Sequence, residues 1–378
     1  MRRMLVIVNP YATGASARVR ERVLRTLARA FAVEAVDTRA PGHAIELAAS
    51  AEAAGFDAVA AVGGDGTVNE AANGLLGERI AALPGAAWAG APTRPGPVWP
   101  VQGGAVPAER PRLVAVGAGA ADHGAAGAGR SSPETDEDEE DRPATPALAC
   151  IPAGQANVLV RMLGIPQDAQ SATQHLVALA AAGGRRVIDL GVVNGRGFTF
   201  ASGVGVDASV TQAVDARPQL KARLGPWFYT WAALGVLARR WSEGAPRMSV
   251  RIPPAGGAET SGMLEGMTAV VQNGSPYTYF NRHPVELARR SSLHSGRLAG
   301  CVLHRARMRD VPALAHRALS RAGSIADHGA VSEFSGVGEL SIHSRDGRAL
   351  PLHVDGDYIG STESARYGVL PGALRLIA

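Results

Sequence analysis

Apolar positions in the first 80 residues fall into two alternating textures. Met4–Val8 is an unbroken apolar run of strand length, whereas Ala17–Phe31 places Val19, Val23, Leu24, Leu27 and Phe31 at helical spacing. Ala32–Val36, Phe56–Val62 and Leu148–Ile151 read as further strands, and Ile45–Ala54, Glu70–Leu76, Val158–Leu163 and Ser171–Ala182 as further helices. Short buried strands alternating with helices predict an α/β fold, a Rossmann-like parallel sheet covered on both faces, over residues 1–186. From Val187 onward the pattern changes. Val187–Val193, Gly197–Ala201, Arg247–Ile252, Met267–Gln272, Arg297–Leu303, Gly338–His343 and His353–Tyr358 are short β candidates separated by Gly, Asn and Pro turns. Two helical stretches, Trp227–Arg239 and Val311–Arg321, interrupt them. This texture predicts a second, antiparallel β-rich, sandwich-like domain over 187–360. In the remaining segment, 361–378, Tyr367–Ile377 reads as a strand returning to the first domain.

Between the two regular regions periodicity is lost. Residues 84–147 repeat Gly, Ala and Pro and then run into the acidic stretch Pro133–Asp141, a composition that predicts a disordered insertion in a surface loop. Residues 84–148 hold 9 acids against 5 arginines, so a local charge of −4 sits in a chain of net charge +4 and leaves +8 on the rest. That surplus favours an anionic substrate or an acidic membrane face, and no pattern in the chain points to nucleic acid. The single lysine, Lys221, stands beside 37 arginines, which codon usage in a GC-rich genome explains more simply than function does. Cys150 and Cys301 lie far apart without metal-ligand spacing, which predicts a reducing compartment. The apolar run after Arg3 stops at Asn9-Pro10, short of a signal-peptide core of ~7–15 residues. The longest uncharged apolar stretch, Leu224–Ala238, falls short of the ~20 residues of a membrane span. The expectation is a cytoplasmic protein that at most touches the inner face of a membrane.

Candidate chemistry sits in three loops, each following a predicted parallel strand: Asn9-Pro10-Tyr11-Ala12-Thr13-Gly14, Gly63–Glu70, and Pro152–Asn157. Ligands of open α/β sheets bind outside the carboxyl ends of the strands, so these loops would meet at one crevice. Glycines would let amides approach phosphate oxygens, and each following helix would add positive charge at its start. Neither G-x-x-x-x-G-K-[ST] nor G-x-G-x-x-G occurs in these loops, and none of them holds a lysine. Phosphate would therefore be held by amides, Thr67 and Asn9, with Asp65 placed to orient a metal ion or another polar partner. A single such loop is equally well read as a tight turn; three at equivalent strand ends favour a nucleotide.

GGDGTVNE at Gly63–Glu70, preceded by NPYATG and followed by IPAGQANVLVRMLGIP, resembles the diacylglycerol kinase catalytic-domain family, and more narrowly its bacterial soluble lipid kinases. The likeness continues through Ile188–Gly191, Phe198–Phe200, ASGVGVDA at Ala201–Ala208, QNGSPYTYF at Gln272–Phe280 and HVDGDYIG at His353–Gly360, sparing only 84–148. GGDGT alone is shared with NAD kinases and sphingosine kinases; the ordered set of motifs is far more specific. The resemblance implies transfer of the γ-phosphate of ATP, with Mg²⁺, to a lipid hydroxyl, diacylglycerol foremost. A kinase for a sphingoid base or NAD, and a nucleotide-binding member with little catalysis, stay open beside it.

The resemblance implies nucleotide contacts at Asn9, Pro10, Thr13, Gly14, Thr38, Gly63, Gly64, Asp65, Gly66, Thr67, Asn69, Glu70, Gly154 and Asn157. It makes Asp355, in Val354-Asp355-Gly356-Asp357, the catalytic base, with Asp65 the competing candidate; the plain alternative for Asp355 is an Asp-Gly hairpin turn. Gln155 departs from the family pattern, standing where relatives carry a small hydroxyl residue. The stretch Ser291–Leu298, matching a loop that holds structural Mg²⁺ in relatives, contains no carboxylate, so no metal is expected there. Trp227, Phe228, Tyr229 and Trp231, flanked by Lys221, Arg223, Arg239 and Arg240, suit either a bilayer interface or a core helix. His43 and His283 read as structural, and Asp207 as a residue of a glycine-rich turn at the cleft. Homodimers are frequent in the family, and no residue here decides that point.

Overall fold

The computed structural model describes residues 2–83, 114–115, 145–206, 208–209, 247–253, 262–280, 283–305, 310, 313–314, 316–317 and 325–378. Nearly all of the predicted insertion, the helix predicted at Trp227–Arg239, most of that at Val311–Arg321, and Asp207 lie outside the described residues.

The chain begins β1 (Arg3–Val8), α1 (Ala17–Leu27), β2 (Ala32–Asp37), α2 (His43–Ala49), β3 (Ala58–Gly63), α3 (Asp65–Leu75) and α4 (Gly77–Ala81). After the two-residue β4 (Val114–Ala115) come β5 (Ala147–Pro152), α5 (Val158–Met162) and α6 (Ala169–Ala181). Strands β2, β1, β3 and β5 lie side by side in parallel. Their alternation feeds two cores. Leu5, Ile7, Val59, Ala61, Leu148 and Cys150 face α2, α3 and α5, while Met4, Val6, Val8, Ala60 and Ile151 face α1 and α6. Both faces are buried, which is why these strands read as continuous apolar runs. Helix α1 starts under a cap from Ser16, whose hydroxyl accepts the Val19 amide, and α6 under one from Asp168. Since β1 is followed by β2 on one side and β3 lies on the other, the strand order reverses between β1 and β3, and the crevice opens at their carboxyl ends.

The antiparallel half comprises β6 (Arg186–Val193), β7 (Arg196–Phe198), β8 (Ala201–Gly205), β9 (Met248–Ile252), β10 (Gly262–Gly266), β11 (Thr268–Gln272), β12 (Thr278–Phe280), β13 (His283–Val285) and β14 (Leu298–Leu303), and continues in β15 (Val331–Val337), β16 (Leu340–Ser344), β17 (Leu350–Val354), β18 (Asp357–Thr362) and β19 (Ser364–Leu376). The long β19 joins the two halves. Its last residues pair with β6 and, in parallel, with β5 at Leu376 and Leu148; its first pair with β16, which carries β9 and β10. One sheet therefore runs from the parallel strands into the antiparallel ones. A second sheet, in the order β15-β14-β11-β8-β17-β18, packs on its far end. Met248, Val250, Ile342 and Tyr367 of the first layer meet Val204, Val271, Val302 and Leu352 of the second.

The fold is mixed α/β with antiparallel β-rich sheets, and three local departures from the sequence pattern bear on the site. Gly63–Glu70 reads as a loop, yet α3 starts at Asp65: Gly, Thr, Val and Asn are weak helix formers, but Val68, Ala71 and Ala72 bury their side chains against the sheet and decide the matter. The strand predicted at His353–Tyr358 is a hairpin, β17 and β18, closed by Asp355 and Gly356, whose φ values of 47° and 84° are those of a two-residue turn with both positions left-handed. The glycine-rich turn predicted at Gly203–Ala208 is largely strand β8, at the centre of the second sheet.

Candidate active site

At the carboxyl ends of β1, β3 and β5 the three loops are tied together through the main chain. The Asn9 amide donates to Val62 O at 2.9 Å, the Ala153 amide to Gly63 O at 2.8 Å, and the Gly14 amide to Ala153 O at 2.8 Å. Side chains finish the lacing: Asn9 Nδ2 donates to Thr67 Oγ1 at 3.2 Å, and Asn157 bonds both the amide and the carbonyl of Gly154, at 3.1 and 2.8 Å. Glycine is required where the loops touch. A methyl group on Gly154 would lie 2.5 Å from the Gly64 Cα, and one on Gly63 would overlap the Thr67 side chain. Gly64 leads into α3 in extended conformation and offers no side-chain cap. The first amides of α3 are thus left for an external acceptor, with the positive end of the helix dipole behind them.

The predicted nucleotide residues divide by where their side chains lie. Pro10, Thr13 and Gly14 are exposed on the first loop, and Thr38, at the end of β2, donates its amide to Val8 O at 2.8 Å beside the end of β1. Gly63, Gly64, Asp65, Gly66, Thr67, Gly154 and Asn157 form the floor. Asn69 and Glu70 point away from it. Glu70 accepts the Gly42 and Ala44 amides at 2.8 and 3.2 Å and so caps α2, while Asn69 is buried between α3 and the β6–β7 hairpin. Gln155 is exposed on the third loop.

Across from the loops stand Asp355, Asp357 and Arg196, with Asp65 of the floor close enough to feel both acids. The Asp65 carboxylate accepts the Leu159 amide at 3.3 Å, at the start of α5. Burial, then the neighbouring Asp355 and more weakly Asp357, push its pKa up to about 7 against the pull of the Leu159 and Val158 amides. Asp355 is buried, and both of its oxygens are engaged. Oδ2 accepts Asn69 Nδ2 at 2.8 Å, the Thr199 amide at 2.7 Å and Thr199 Oγ1 at 2.9 Å; Oδ1 accepts the Phe200 and Ala201 amides at 3.0 and 3.1 Å. Asp357, two residues on, is half-buried and lies directly against Gly66 in the first turn of α3, where a methyl group would overlap its carboxylate. Arg196 follows the Asn194-Gly195 turn and donates from Nη2 to Asn69 Oδ1 at 2.8 Å. Burial lowers its pKa, and Glu70, Asp357 and Asp355 hold it up.

Arg196 and Asp357 are the residues that sequence reasoning passed over. Asp357 lay in plain view beside Asp355, but nothing in the string distinguishes the acid that points outward; Arg196 belongs to no motif, and only the preceding Asn-Gly turn marks the hairpin that delivers it. In the loop matched to a metal-binding one, Asp189 of β6 bonds the amides of Gly296 and Gly372 directly. Among the described residues no three His, Cys, Asp or Glu side chains are grouped to hold a metal ion. A divalent ion here would therefore fit as one carried by the phosphates of a nucleotide rather than by a ready-made protein cage.

Residues 3–89 and 113–193 match the sequence profile of the diacylglycerol kinase catalytic domain. No curated protein matches the chain in sequence. Among solved structures, a protein from Bacillus anthracis str. Sterne described as a candidate diacylglycerol kinase is similar over 100% of this chain and 97% of its own, with a TM-score of 0.62 at 20% identity. A diacylglycerol kinase from the same organism is similar over 100% of this chain and 96% of its own, with a TM-score of 0.59 at 17% identity. These likenesses establish a shared fold, and the profile match falls on the strands and loops that build the crevice. Through those residues the chain belongs to the diacylglycerol kinase catalytic-domain family.

Proposed function

We propose that this protein is an ATP-dependent lipid kinase that transfers the γ-phosphoryl group of ATP to a lipid hydroxyl, with diacylglycerol as acceptor and phosphatidic acid as product. One observation carries the reading: an uncapped α3 N-terminus, framed by two glycine turns, opens onto a carboxylate that rests against its first turn. Phosphoryl transfer needs anionic oxygens held in place, charge neutralised and a hydroxyl deprotonated. The amides of α3 and the packed loops would hold the triphosphate, and Asp65 would face the nucleotide's Mg²⁺, which when bound neutralises phosphate charge. The incoming oxygen bonds to phosphorus as the bond to the β-phosphate oxygen breaks, its electrons leaving with ADP; the hydroxyl proton passes to a carboxylate of the opposite wall.

The β-rich half would present the acceptor. Among the described residues no helix is long and apolar enough to cross a membrane, so the lipid would be met at a surface. The aromatic segment Lys221–Trp241 would make that contact, and unchanged vesicle binding by a folded Trp227→Ala, Trp231→Ala double variant overturns this part of the proposal. For the reaction itself, purified protein is incubated with labelled ATP and Mg²⁺ against diacylglycerol, ceramide, sphingosine and NAD. Label is expected in phosphatidic acid. Transfer to NAD alone removes the lipid reading, and nucleotide binding with transfer to no acceptor removes the kinase reading.

A further inference from the structure

Asn69 links the two walls of the cleft. Asp355, in the turn between β17 and β18, accepts the amide and the hydroxyl of Thr199 and the amides of Phe200 and Ala201, all from the β-rich half. A further bond comes from the other wall: Asn69 Nδ2, in the second turn of α3, donates to Asp355 Oδ2 at 2.8 Å. The Asn69–Asp355 contact is therefore a strut between the helix whose first amides face the crevice and the hairpin opposite.

A strut made of a side-chain amide holds in one sense only. Asn69 Oδ1 accepts Arg196 Nη2 at 2.8 Å and Asn73 Nδ2 at 3.1 Å, while Asn69 Nδ2 donates to Asp355 Oδ2 and, at 2.9 Å, to Gly197 O. Turned over, the group would set its N–H bonds against two donors and its oxygen against a carbonyl and a carboxylate. Asn73 Nδ2 also donates to Asn69 O at 2.8 Å and to Gly197 O at 3.0 Å, so its hold on Oδ1 is shared and is the longest of the three. Arg196 is the firmer guide. A guanidinium has nothing to accept with and does not give up its proton, so whatever faces it must be an acceptor.

Several contacts deliver Arg196 to this point. It starts β7 directly after Asn194 and Gly195, whose φ values of 45° and 77° make the tight turn of the β6–β7 hairpin. Asn194 ties that turn to β19, accepting the Arg366 amide at 2.9 Å and donating to Ser364 O at 2.9 Å. Beside Arg196, the Gly197 amide donates to Asn73 Oδ1 at 2.8 Å and so pins β7 to α3. Glu70, Asp357 and Asp355 attract the guanidinium and offset its burial. Among the described residues its one side-chain hydrogen bond is that to Asn69. A charge buried for a single bond adds little stability; what it adds here is direction.

We propose that Arg196 is a positioning residue for phosphoryl transfer: it sets the sense of the Asn69 amide and, through that amide, the distance between α3 and the Asp355 hairpin. The inference rests on the lipid-kinase reading and leaves its chemistry as stated. An in-line transfer needs the phosphate held by one wall and the hydroxyl met by the other to stay in register, and small displacements are costly.

The experiment measures kcat, KM for ATP and melting, with diacylglycerol as acceptor, for wild type, Arg196→Met, Arg196→Lys, Asn69→Ala and the Arg196→Met, Asn69→Ala double variant. Arg196→Met is expected to lose on the order of 10- to 100-fold in kcat with KM for ATP little changed. Arg196→Lys, which keeps a charged donor, is expected to regain most of that loss. The double variant should be no slower than the slower single, because both changes remove the same strut. A merely structural Arg196 would lower the melting temperature and leave the folded enzyme with wild-type kcat, and a residue acting independently of Asn69 would multiply the two losses. Either result overturns the proposal, as does a loss confined to KM. Should Arg196→Met not fold, the same cycle is run with Arg196→Gln, whose loss must vanish in the Asn69→Ala background; wild-type kcat in that variant is equally decisive against the proposal. A wild type that phosphorylates no acceptor overturns the lipid-kinase reading and this inference with it, whereas an active wild type with uncoupled variants overturns the inference alone.

Discussion

On the parallel side of the cleft the loops at Asn9–Gly14, Gly63–Thr67 and Ala153–Asn157 meet mainly through main-chain amides, carbonyls and bare glycine Cα atoms, whereas on the hairpin side the contacts run through side-chain carboxylates, an asparagine and an arginine. The first wall is intolerant of any added atom where the chains touch. The second depends on each donor finding its acceptor. A nucleotide's phosphates ask only for amides in the right place, while an alcohol that must lose a proton needs an acid of chosen surroundings, so the two walls suit the two halves of one reaction.

The largest effect should come from adding atoms to the first wall. Gly154→Val places its Cβ against the Gly64 backbone, where no flexible side chain can give way. The third loop must then part from the second, and the α3 amides lose their frame. We expect ATP affinity to fall by at least about 100-fold and stability by roughly 2–3 kcal/mol, read by calorimetry and urea unfolding. If the variant binds ATP as wild type does, the main-chain wall is not the nucleotide site.

A smaller loss should follow from removing one member of the second wall. Asn69 donates to Asp355 Oδ2 and Gly197 O and accepts from Arg196 Nη2 and from Asn73 Nδ2, all within a buried space. Asn69→Ala leaves Asp355 one donor short and Arg196 without that acceptor, a cost of about 1–3 kcal/mol. Asn69→Asp keeps the shape and should be worse, because it sets a second carboxylate against the first. Equal stability of the two variants would show that charge does not govern this wall.

The same contrast explains how much of the molecule its sequence discloses. Alternation of short apolar runs with helical spacing marks β1, β2, β3 and β5, because strands buried on both faces leave an unbroken signal, and the glycine-rich strings at their ends mark the first wall. The second wall is scattered. Asp355, Asn69, Arg196 and Thr199 come from positions up to 286 residues apart, and although motifs mark the first two, nothing in the string says that the four meet. The hairpin at Asp355-Gly356 is legible as an Asp-Gly turn signal, the plain alternative for Asp355, and the strand reading over His353–Tyr358 runs straight across it. Asn69 and Glu70 read as part of the phosphate loop only because helical winding, which carries them round to the far side of α3, is suppressed in a string rich in glycine and β-branched residues.

The one effect of opposite sign concerns Asp65, where the two walls meet. Its pKa of about 7 in the fold stands against an ordinary value of 3.8, with burial and the charges of Asp355 and Asp357 as the causes. Between those two values the folded protein keeps a proton that the unfolded chain releases, so stability falls as pH rises through this window and then levels off. Asp65→Asn cannot ionise. In the absence of nucleotide it should melt with wild type near pH 4, draw ahead as pH rises, and hold a constant lead above pH 7. The lead follows from the gap between the two pKa values and is read as the divergence of the two melting curves with pH. The same variant should bind Mg²⁺-ATP less tightly, trading function for stability. A lead that stays flat from pH 4 to pH 8 would mean that Asp65 is ionised throughout, and that the hairpin acids do not press on the phosphate loop.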